Sequence, residues 1–144
     1  MKKITLFTIA LLSIVECSKA EVVVSDSLID AIAIVESNND NTKIGSFGEL
    51  GILQIRQCVI DDVNKVYNTQ YTIDDTKDNE KSREICKKYL KYWGECYEKK
   101  TGLKATDQIL AKIWNGGPAA PTRKHSRFAK RVRRYWKKVK QYMA

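Results

Sequence analysis

Apolar residues recur at helical spacing in several stretches of the chain, and polar stretches bearing glycine or proline separate them. The first such stretch predicts an amphipathic helix that ends near residue 36, because its apolar positions fall on one face at 3.6 residues per turn. Ser25 and Ser27 are candidate N-caps for this helix, and Ser27 with Asp30 resembles a capping box. The apolar stripe consists of Leu28, Ile29, Ile32, Ala33 and Val35.

The same spacing predicts four more helices, and the polar residues 66–78 predict a loop between the second and the third. The chain is therefore expected to be all-α. The four helices are predicted over residues 56–65, 79–100 and 107–114, and from Thr122 or Ser126 towards the C-terminus.

The terminal helix combines one apolar face with a strongly basic remainder. Its apolar members are Phe128, Val132, Tyr135, Trp136 and Val139. A basic amphipathic helix is typical of proteins that bind nucleic acid or a membrane surface. Packing of the apolar face on the domain, with a solvated basic exterior, explains the same pattern.

Residues 1–20 have the organisation of a secretory signal peptide. Lys2 and Lys3 precede an apolar run over residues 4–15, and Ser18 and Ala20 suit a cleavage site. We predict cleavage after Ala20, which leaves residues 21–144 as a single exported domain. Two alternatives are a retained membrane anchor and lipidation of Cys17, for which the preceding Glu16 is too large and charged.

The chain is basic, and this charge limits the possible partners. Its 26 Lys and Arg exceed its 17 Asp and Glu by nine. Removing residues 1–20 leaves 23 against 16, a net charge of +7. The expected partner is therefore anionic: a cell-wall polymer, a membrane surface or nucleic acid.

Three cysteines follow the signal peptide, so one disulfide and one free thiol are possible in an oxidising compartment. Cys86 and Cys96 lie ten positions apart on one predicted helix, about 15 Å, which is too far to bridge. We expect a Cys58–Cys86 disulfide, with burial as small apolar residues as the alternative. His125 is the only histidine, and no metal-binding motif is present, so neither a metal nor a cofactor is expected.

Glu36 is the candidate for a general acid. It follows Ile29 by seven positions and Ile32 by four, so it projects from the buried face of the first helix. Desolvation there would raise its pKa and leave a proton to donate near neutral pH. The alternative is a carboxylate at a frayed helix end in water.

Residues 36–55 carry a family motif. It reads Glu36-Ser37, then Ser46, then Gly48-Glu49-Leu50-Gly51-Ile52-Leu53-Gln54-Ile55. This pattern resembles the soluble lytic transglycosylase family, lysozyme-like domains that cleave peptidoglycan glycan strands. A second block, Ala111 followed by Trp114-Asn115-Gly116-Gly117, and a weaker third, Phe128 to Val132, match the same family.

The resemblance implies a lysozyme-like helical fold with its active site in a cleft, and cleavage of the β-1,4 bond between N-acetylmuramic acid and N-acetylglucosamine. Glu36 would be the single acid/base and would leave 1,6-anhydro ends. Ser46, Gln54, Trp114 and Asn115 would bind the substrate. The implied location is the periplasm or the exterior. The expected protein is a monomer that acts on glycan strands, with a secretion, conjugation or phage machine as a further partner, and it binds no specific nucleic acid.

Two departures from the family pattern leave alternatives open. The family has Tyr where this chain has Trp114, so a phenol hydrogen bond is lost or must come from the indole N–H. Glu49 stands where a small residue is common. As a second carboxylate beside Glu36 it would make the enzyme a hydrolytic muramidase. The alternative for Glu49 is a solvated or hydrogen-bonding position in the loop. A basic, non-catalytic wall-binding module is the alternative outside enzymes.

Overall fold

The computed structural model describes residues 21–124 and 127–143, and this part of the chain is built from five α-helices. Its only β-pairing is a pair of isolated bridges, so the predicted all-α class is confirmed. The predicted signal peptide, including Cys17, lies outside the described residues, as does Ser126. The helices are α1 (Asp26–Ser37), α2 (Gln57–Tyr67), α3 (Asn79–Thr101), α4 (Asp107–Gly116) and α5 (Arg127–Gln141), with short 3-10 turns at Ile73–Lys77 and Ala120–Thr122.

Local signals account for most helix ends. Ser25 is the cap of α1: its hydroxyl accepts a hydrogen bond from the Leu28 N–H at 3.2 Å, whereas Ser27 lies inside the helix. α1 ends where Asn38 turns left-handed, with a φ of 59°, and Gly102 ends α3 with a φ of 71°. The sequence therefore locates these ends to within a residue or two.

The segment between α2 and α3 is more regular than the predicted loop of residues 66–78. α2 continues to Tyr67, beyond its predicted end. The Asn64 side chain then holds the returning chain, since it donates to the Tyr71 carbonyl and accepts from the Tyr71 N–H, each at 2.8 Å. Thr72 and Asp75 form a capping box for the 3-10 turn that follows. Hydrogen bonds from polar side chains therefore hold this segment in place, although its polar sequence predicted a loop.

One hydrophobic core joins the helices, and α1 packs against α3, α4 and α5. Each fully buried Leu or Ile contributes about 1.5–3 kcal/mol. Because α1 is packed on several sides, the last turn of α1 is held in place relative to α4 and α5. No helix in the described part of the chain is long and apolar enough to cross a membrane. The fully buried Leu and Ile are Leu28, Ile29, Ile32, Leu53, Ile55, Ile60, Ile85, Leu90, Leu110 and Ile113.

Close packing explains the glycine inside α3. A Cβ at Gly94 would lie 2.9 Å from side-chain carbons of both Leu110 on α4 and Val22 in the N-terminal lead-in. These separations are shorter than ordinary van der Waals contact, so a larger residue would force the side chains of Leu110 and Val22 to shift. A glycine within a helix costs about 0.5–1 kcal/mol relative to alanine, and the close helix contact offsets that cost.

The cysteines differ from expectation. The structure holds Cys58, Cys86 and Cys96 as free cysteines, so the expected Cys58–Cys86 disulfide is not formed. Cys86 is completely buried on α3, whereas Cys58 is exposed at the start of α2, and the two side chains lie in different environments. Cys86 instead packs as a small apolar residue, and burial raises the pKa of its thiol.

Candidate active site

The loop between α1 and α2 carries the first family motif and is held by its own backbone. Leu50 pairs with Ile44 and with Ile55, and Ile55 is fully buried in the core. Gly51 has a φ of 75°, and a Cβ at this position would collide with the Thr76 carbonyl oxygen. Both the backbone conformation and the close approach therefore require glycine.

Two side chains fasten this loop to α1 and to itself. The Ser37 hydroxyl at the end of α1 donates to the Ile52 carbonyl at 2.8 Å. The Gln54 amide donates to the carbonyls of Lys43 at 3.1 Å and Gly51 at 2.9 Å. Gln54, predicted to bind substrate, thus uses both amide hydrogens to stabilise the loop and retains its side-chain carbonyl for another partner.

Glu36 is half-buried in the last turn of α1. Its Oε1 accepts a hydrogen bond from the Tyr135 hydroxyl at 2.7 Å, and Lys43 Nζ donates to its backbone carbonyl at 2.5 Å. Burial raises the pKa of Glu36, while the Tyr135 hydrogen bond and the Lys43 charge oppose that rise without cancelling it. The buried orientation predicted from helix spacing is found, rather than a frayed helix end in water.

Tyr135 is the site residue that sequence reasoning missed, since it was assigned only to the apolar face of the terminal helix. It is buried on α5, 99 positions from Glu36. Burial and then the nearby Glu36 carboxylate raise its pKa well above the usual value, so Tyr135 keeps its proton and acts as a donor. A phenol does reach the acid here, from α5 rather than from the position of Trp114. A buried tyrosine usually has a hydrogen-bond partner, and that was the available signal.

Glu49 is only 8% exposed, and both of its carboxylate oxygens are engaged. Oε1 accepts from Arg56 Nη2 at 2.6 Å and from Arg56 Nε at 2.9 Å, and Oε2 accepts from the Phe47 N–H at 2.8 Å. Burial by itself would raise the pKa of Glu49. The N–H groups of Glu49 and Phe47 and the Arg56 guanidinium outweigh it, and the pKa is lowered. Glu49 is therefore an ionised anchor of the loop.

Asn115 and Trp114 present a polar and an aromatic group from the end of α4. Asn115 Oδ1 is buried and has no hydrogen-bond partner among the described residues. Buried acceptors are rarely left unpaired, so this oxygen suits a ligand N–H. Trp114 packs edge-on against Tyr89, with ring centroids 5.9 Å apart and planes at 85°. Ser46 is exposed in the loop between α1 and α2.

The structure brings all the predicted catalytic and substrate-binding residues to one open pocket of about 580 Å³. That volume lies within the range of about 300–1,000 Å³ typical of ligand sites. The predicted residues in its lining are Glu36, Ser46, Glu49, Gln54, Trp114 and Asn115. Aromatic and cationic side chains that were not predicted also line it: Phe47, Arg56, Phe128 and Arg131. Within the described ranges, no group of three or more His, Cys, Asp or Glu is arranged to hold a metal ion.

Comparison with protein-family models matches residues 15–136 to the Transglycosylase SLT domain. A search of curated proteins gave no match. The matched segment contains every residue of the pocket and α1 to α4 complete. The resemblance carried by the two sequence motifs is thereby confirmed. The chain belongs to the SLT transglycosylase family, whose lysozyme-like, all-α domains act on peptidoglycan.

Proposed function

We propose that this protein is a lytic transglycosylase that cleaves the MurNAc-β-1,4-GlcNAc bond with Glu36 as its single acid/base. The observation that carries the proposal is the half-buried carboxyl of Glu36, whose pKa is raised, in the same pocket as Trp114 and Asn115 of the second family block. An acid whose pKa is raised keeps its proton to a higher pH than an exposed carboxyl does, and it can protonate a leaving oxygen.

The two oxygens of Glu36 have separate tasks. Oε1 accepts from Tyr135, so Oε2 carries the acidic proton towards the glycosidic oxygen. As that proton moves, the C1–O bond breaks and positive charge develops on the muramyl ring. The negative charge left on Glu36 is stabilised by the Tyr135 hydroxyl, which is already in place. The carboxylate then takes the proton of the muramyl C6 hydroxyl, and that oxygen bonds to C1. The ring closes to the 1,6-anhydro product, and Glu36 is protonated again.

An internal nucleophile needs no second carboxylate, and the surroundings of Glu49 support this route. Both Glu49 oxygens are hydrogen-bonded within the loop, to Arg56 and to the Phe47 N–H, and the pKa of Glu49 is lowered. A group so engaged is poorly placed to activate water or to attack C1. The tethered C6 hydroxyl also avoids the entropic cost of bringing in a separate nucleophile. These points favour the lyase over the hydrolytic muramidase.

Substrate recognition is assigned to the amide and aromatic groups of the pocket. The unpaired Asn115 Oδ1 suits the N–H of an N-acetyl group. The Trp114 ring offers an apolar wall to a sugar face, and the exposed Ser46 hydroxyl suits a sugar hydroxyl. Gln54 contributes its side-chain carbonyl and, through its amide, the shape of the loop.

Product analysis of digested peptidoglycan tests the reaction. Purified wall treated with the protein should release muropeptides with 1,6-anhydro ends, seen by mass spectrometry as the loss of one water relative to reducing ends. The Glu36→Gln variant should lose about 10²–10⁴-fold in rate, the usual contribution of a general acid. Reducing ends from the parent protein would contradict the lyase. Full activity in Glu36→Gln would remove Glu36 from the mechanism.

A further inference from the structure

Charge is strongly segregated along the chain. Residues 21–104 contain 12 Lys and Arg against 15 Asp and Glu, a net charge of −3. Residues 105–143 contain 11 Lys and Arg against one acid, Asp107, a net charge of +10. The basic character of the mature protein therefore belongs to α4, α5 and the segment between them.

The cations of α5 are exposed, and none of them forms an ion pair with another described residue. All eight Lys and Arg of the helix face solvent. The ion pairs found among the described residues all join positions between 21 and 91, so none involves α5. A helix with no acidic residue on it holds like charges against one another, and an anionic partner would relieve that repulsion.

Cations of α5, of α4 and of the segment between these helices line two adjoining hollows in the surface. Lys112, Arg123, Lys124 and Arg133 line the first, which has a volume of about 270 Å³. Lys130, Arg133, Arg134 and Lys137 line the second, of about 560 Å³. Arg133 is common to both, so the two hollows form one surface, which we call the basic face. Its cations come from α4, from the segment before α5 and from α5.

The basic face continues into the catalytic pocket. Phe128 lines that pocket, and the guanidinium groups of Arg123 and Arg131 lie over its ring at 4.7 Å and 5.0 Å from the centroid. Arg131 lines the pocket, and Arg123 lines the first hollow of the basic face. A polymer that enters the pocket beside Phe128 therefore comes close to Arg123, a member of the basic face.

We infer that the basic face binds the carboxylates of the peptide stems on the glycan strand being cleaved, or on its neighbour, outside the catalytic pocket. This inference rests on the proposed function. The polymer that enters the pocket carries carboxylates at regular intervals. Lys130, Arg134 and Lys137 lie three or four positions apart on α5, so they share one side of the helix, with neighbouring Cβ atoms about 5–6 Å apart. Arginine forks suit carboxylates in particular.

The alternative occupants fit less well. A helix that lies in a membrane surface exposes an apolar face to the lipid. The apolar residues of α5 are used inside the protein instead, since Val132, Tyr135 and Val139 are buried. Nucleic acid would also neutralise the positive charge, but its binding would not require the basic face to adjoin the pocket that contains Glu36. Continuity with the pocket is the feature that selects the wall polymer.

Binding to intact wall tests the inference, and an inactive protein keeps cleavage out of the measurement. In a Glu36→Gln background, Arg133→Gln/Arg134→Gln/Lys137→Gln should co-sediment with purified sacculi about tenfold more weakly, because three exposed contacts are lost. Lys99→Gln/Lys100→Gln/Lys104→Gln is the matched control, since it removes the same charge from another exposed cluster and should bind as the parent does. Equal losses in the two variants would overturn the inference.

Neutralising the polymer instead of the protein provides the second arm. Sacculi whose carboxylates have been converted to amides should also bind the Glu36→Gln protein about tenfold more weakly. Adding Arg133→Gln/Arg134→Gln/Lys137→Gln should then cause no further loss. Independent, multiplying losses would overturn the inference, as would tighter binding to phosphatidylglycerol vesicles or to duplex DNA than to sacculi at about 0.15 M salt. Failure of the proposed function would appear separately, as intact sacculi after treatment with the active parent.

Discussion

The chemistry proposed for the site depends on two side chains, Glu36 and Tyr135, each of which shifts the pKa of the other. Glu36 is raised in pKa by burial, and Tyr135 limits that rise by donating to Oε1. The same hydroxyl is present before and after proton transfer, so no reorganisation is needed when the charge forms. At the level of single residues, the pKa of Glu36 is therefore a balance between burial, which raises it, and the Tyr135 hydrogen bond, which lowers it.

Tyr135→Phe tests that balance through the pH profile. Activity should fall with rising pH as Glu36 loses its proton. Removing the hydrogen bond that lowers the pKa of Glu36 should move this fall to higher pH. The rate at low pH should drop about 10- to 100-fold, since a hydrogen bond to a charged group contributes about 1.5–3 kcal/mol. The measurement is the wall-cleavage rate across pH.

Tyr67→Phe is the control for that experiment. Its hydroxyl also donates a hydrogen bond, to the Lys88 carbonyl at 3.1 Å, but it lies outside the pocket. It should lower stability slightly and leave the pH profile in place. An unchanged profile in Tyr135→Phe would show that the phenol does not act on the acid.

At the level of elements, the loop between α1 and α2 determines whether the motif residues meet. Its shape depends on left-handed residues, on the Leu50 bridges and on side chains that bond to the backbone. Glu49 and Gln54 belong to this framework as much as to the pocket. Some residues of the family motif, such as Glu49 and Gln54, therefore stabilise the loop that positions the other residues of the motif.

Alanine substitutions at Gly48 and Gly51 distinguish the effect of backbone strain from that of close packing. Gly48 and Gly51 both have positive φ, 80° and 75°, so alanine at either should cost about 1–2 kcal/mol. Only at Gly51 would the new Cβ collide with the Thr76 carbonyl, whereas at Gly48 it meets open space. Gly51→Ala should therefore lose clearly more unfolding free energy in denaturant titrations, and more activity. Equal losses at the two positions would contradict the packing argument.

Glu49→Gln distinguishes a loop anchor from a second catalytic carboxylate. Losing the charged partner of Arg56 and of the Phe47 N–H should lower the free energy of unfolding by about 1–3 kcal/mol at neutral pH. Because the pKa of Glu49 is lowered, the difference from the parent should shrink as the pH falls below about 4. The products should keep their anhydro ends. Complete loss of cleavage with unchanged thermal stability would assign Glu49 to the chemistry instead.

For the whole molecule, the raised pKa of Glu36 lowers the free energy of unfolding, and the rest of the fold offsets this loss. A carboxyl whose pKa is raised on folding opposes folding once the unfolded chain has ionised. The core beneath α1 supplies the stability that offsets it, with Leu28, Ile29 and Ile32 fully buried. Charge is also unevenly distributed along the chain: residues 105–143 have a net charge of +10, and residues 21–104 have a net charge of −3.

Glu36→Gln should therefore stabilise the protein while it inactivates it. Below the unfolded pKa of about 4.3 the carboxyl is protonated in both states, and the two proteins should differ little. As the pH rises, the unfolded parent ionises first, so the parent loses stability until the pH passes the raised pKa of folded Glu36. Thermal unfolding at pH 4 and pH 8 measures this. A variant that is no more stable than the parent at the higher pH would contradict the burial of the carboxyl.

Short-range patterns in the sequence determined the helices, their caps and the position of Glu36 on a buried face, because a period of 3.6 residues and the turn residues act over a few positions. They also indicated Gln54 and Asn115 through the family motifs. Only the tertiary structure decided that Tyr135 reaches Glu36 across 99 positions, that Arg56 pairs with Glu49, and that Gly94 packs closely against Leu110. These are contacts between elements, and they depend on how helices pack, which no local pattern records. For the same reason the sequence suggested a Cys58–Cys86 bridge where packing leaves one thiol in the core and the other in water.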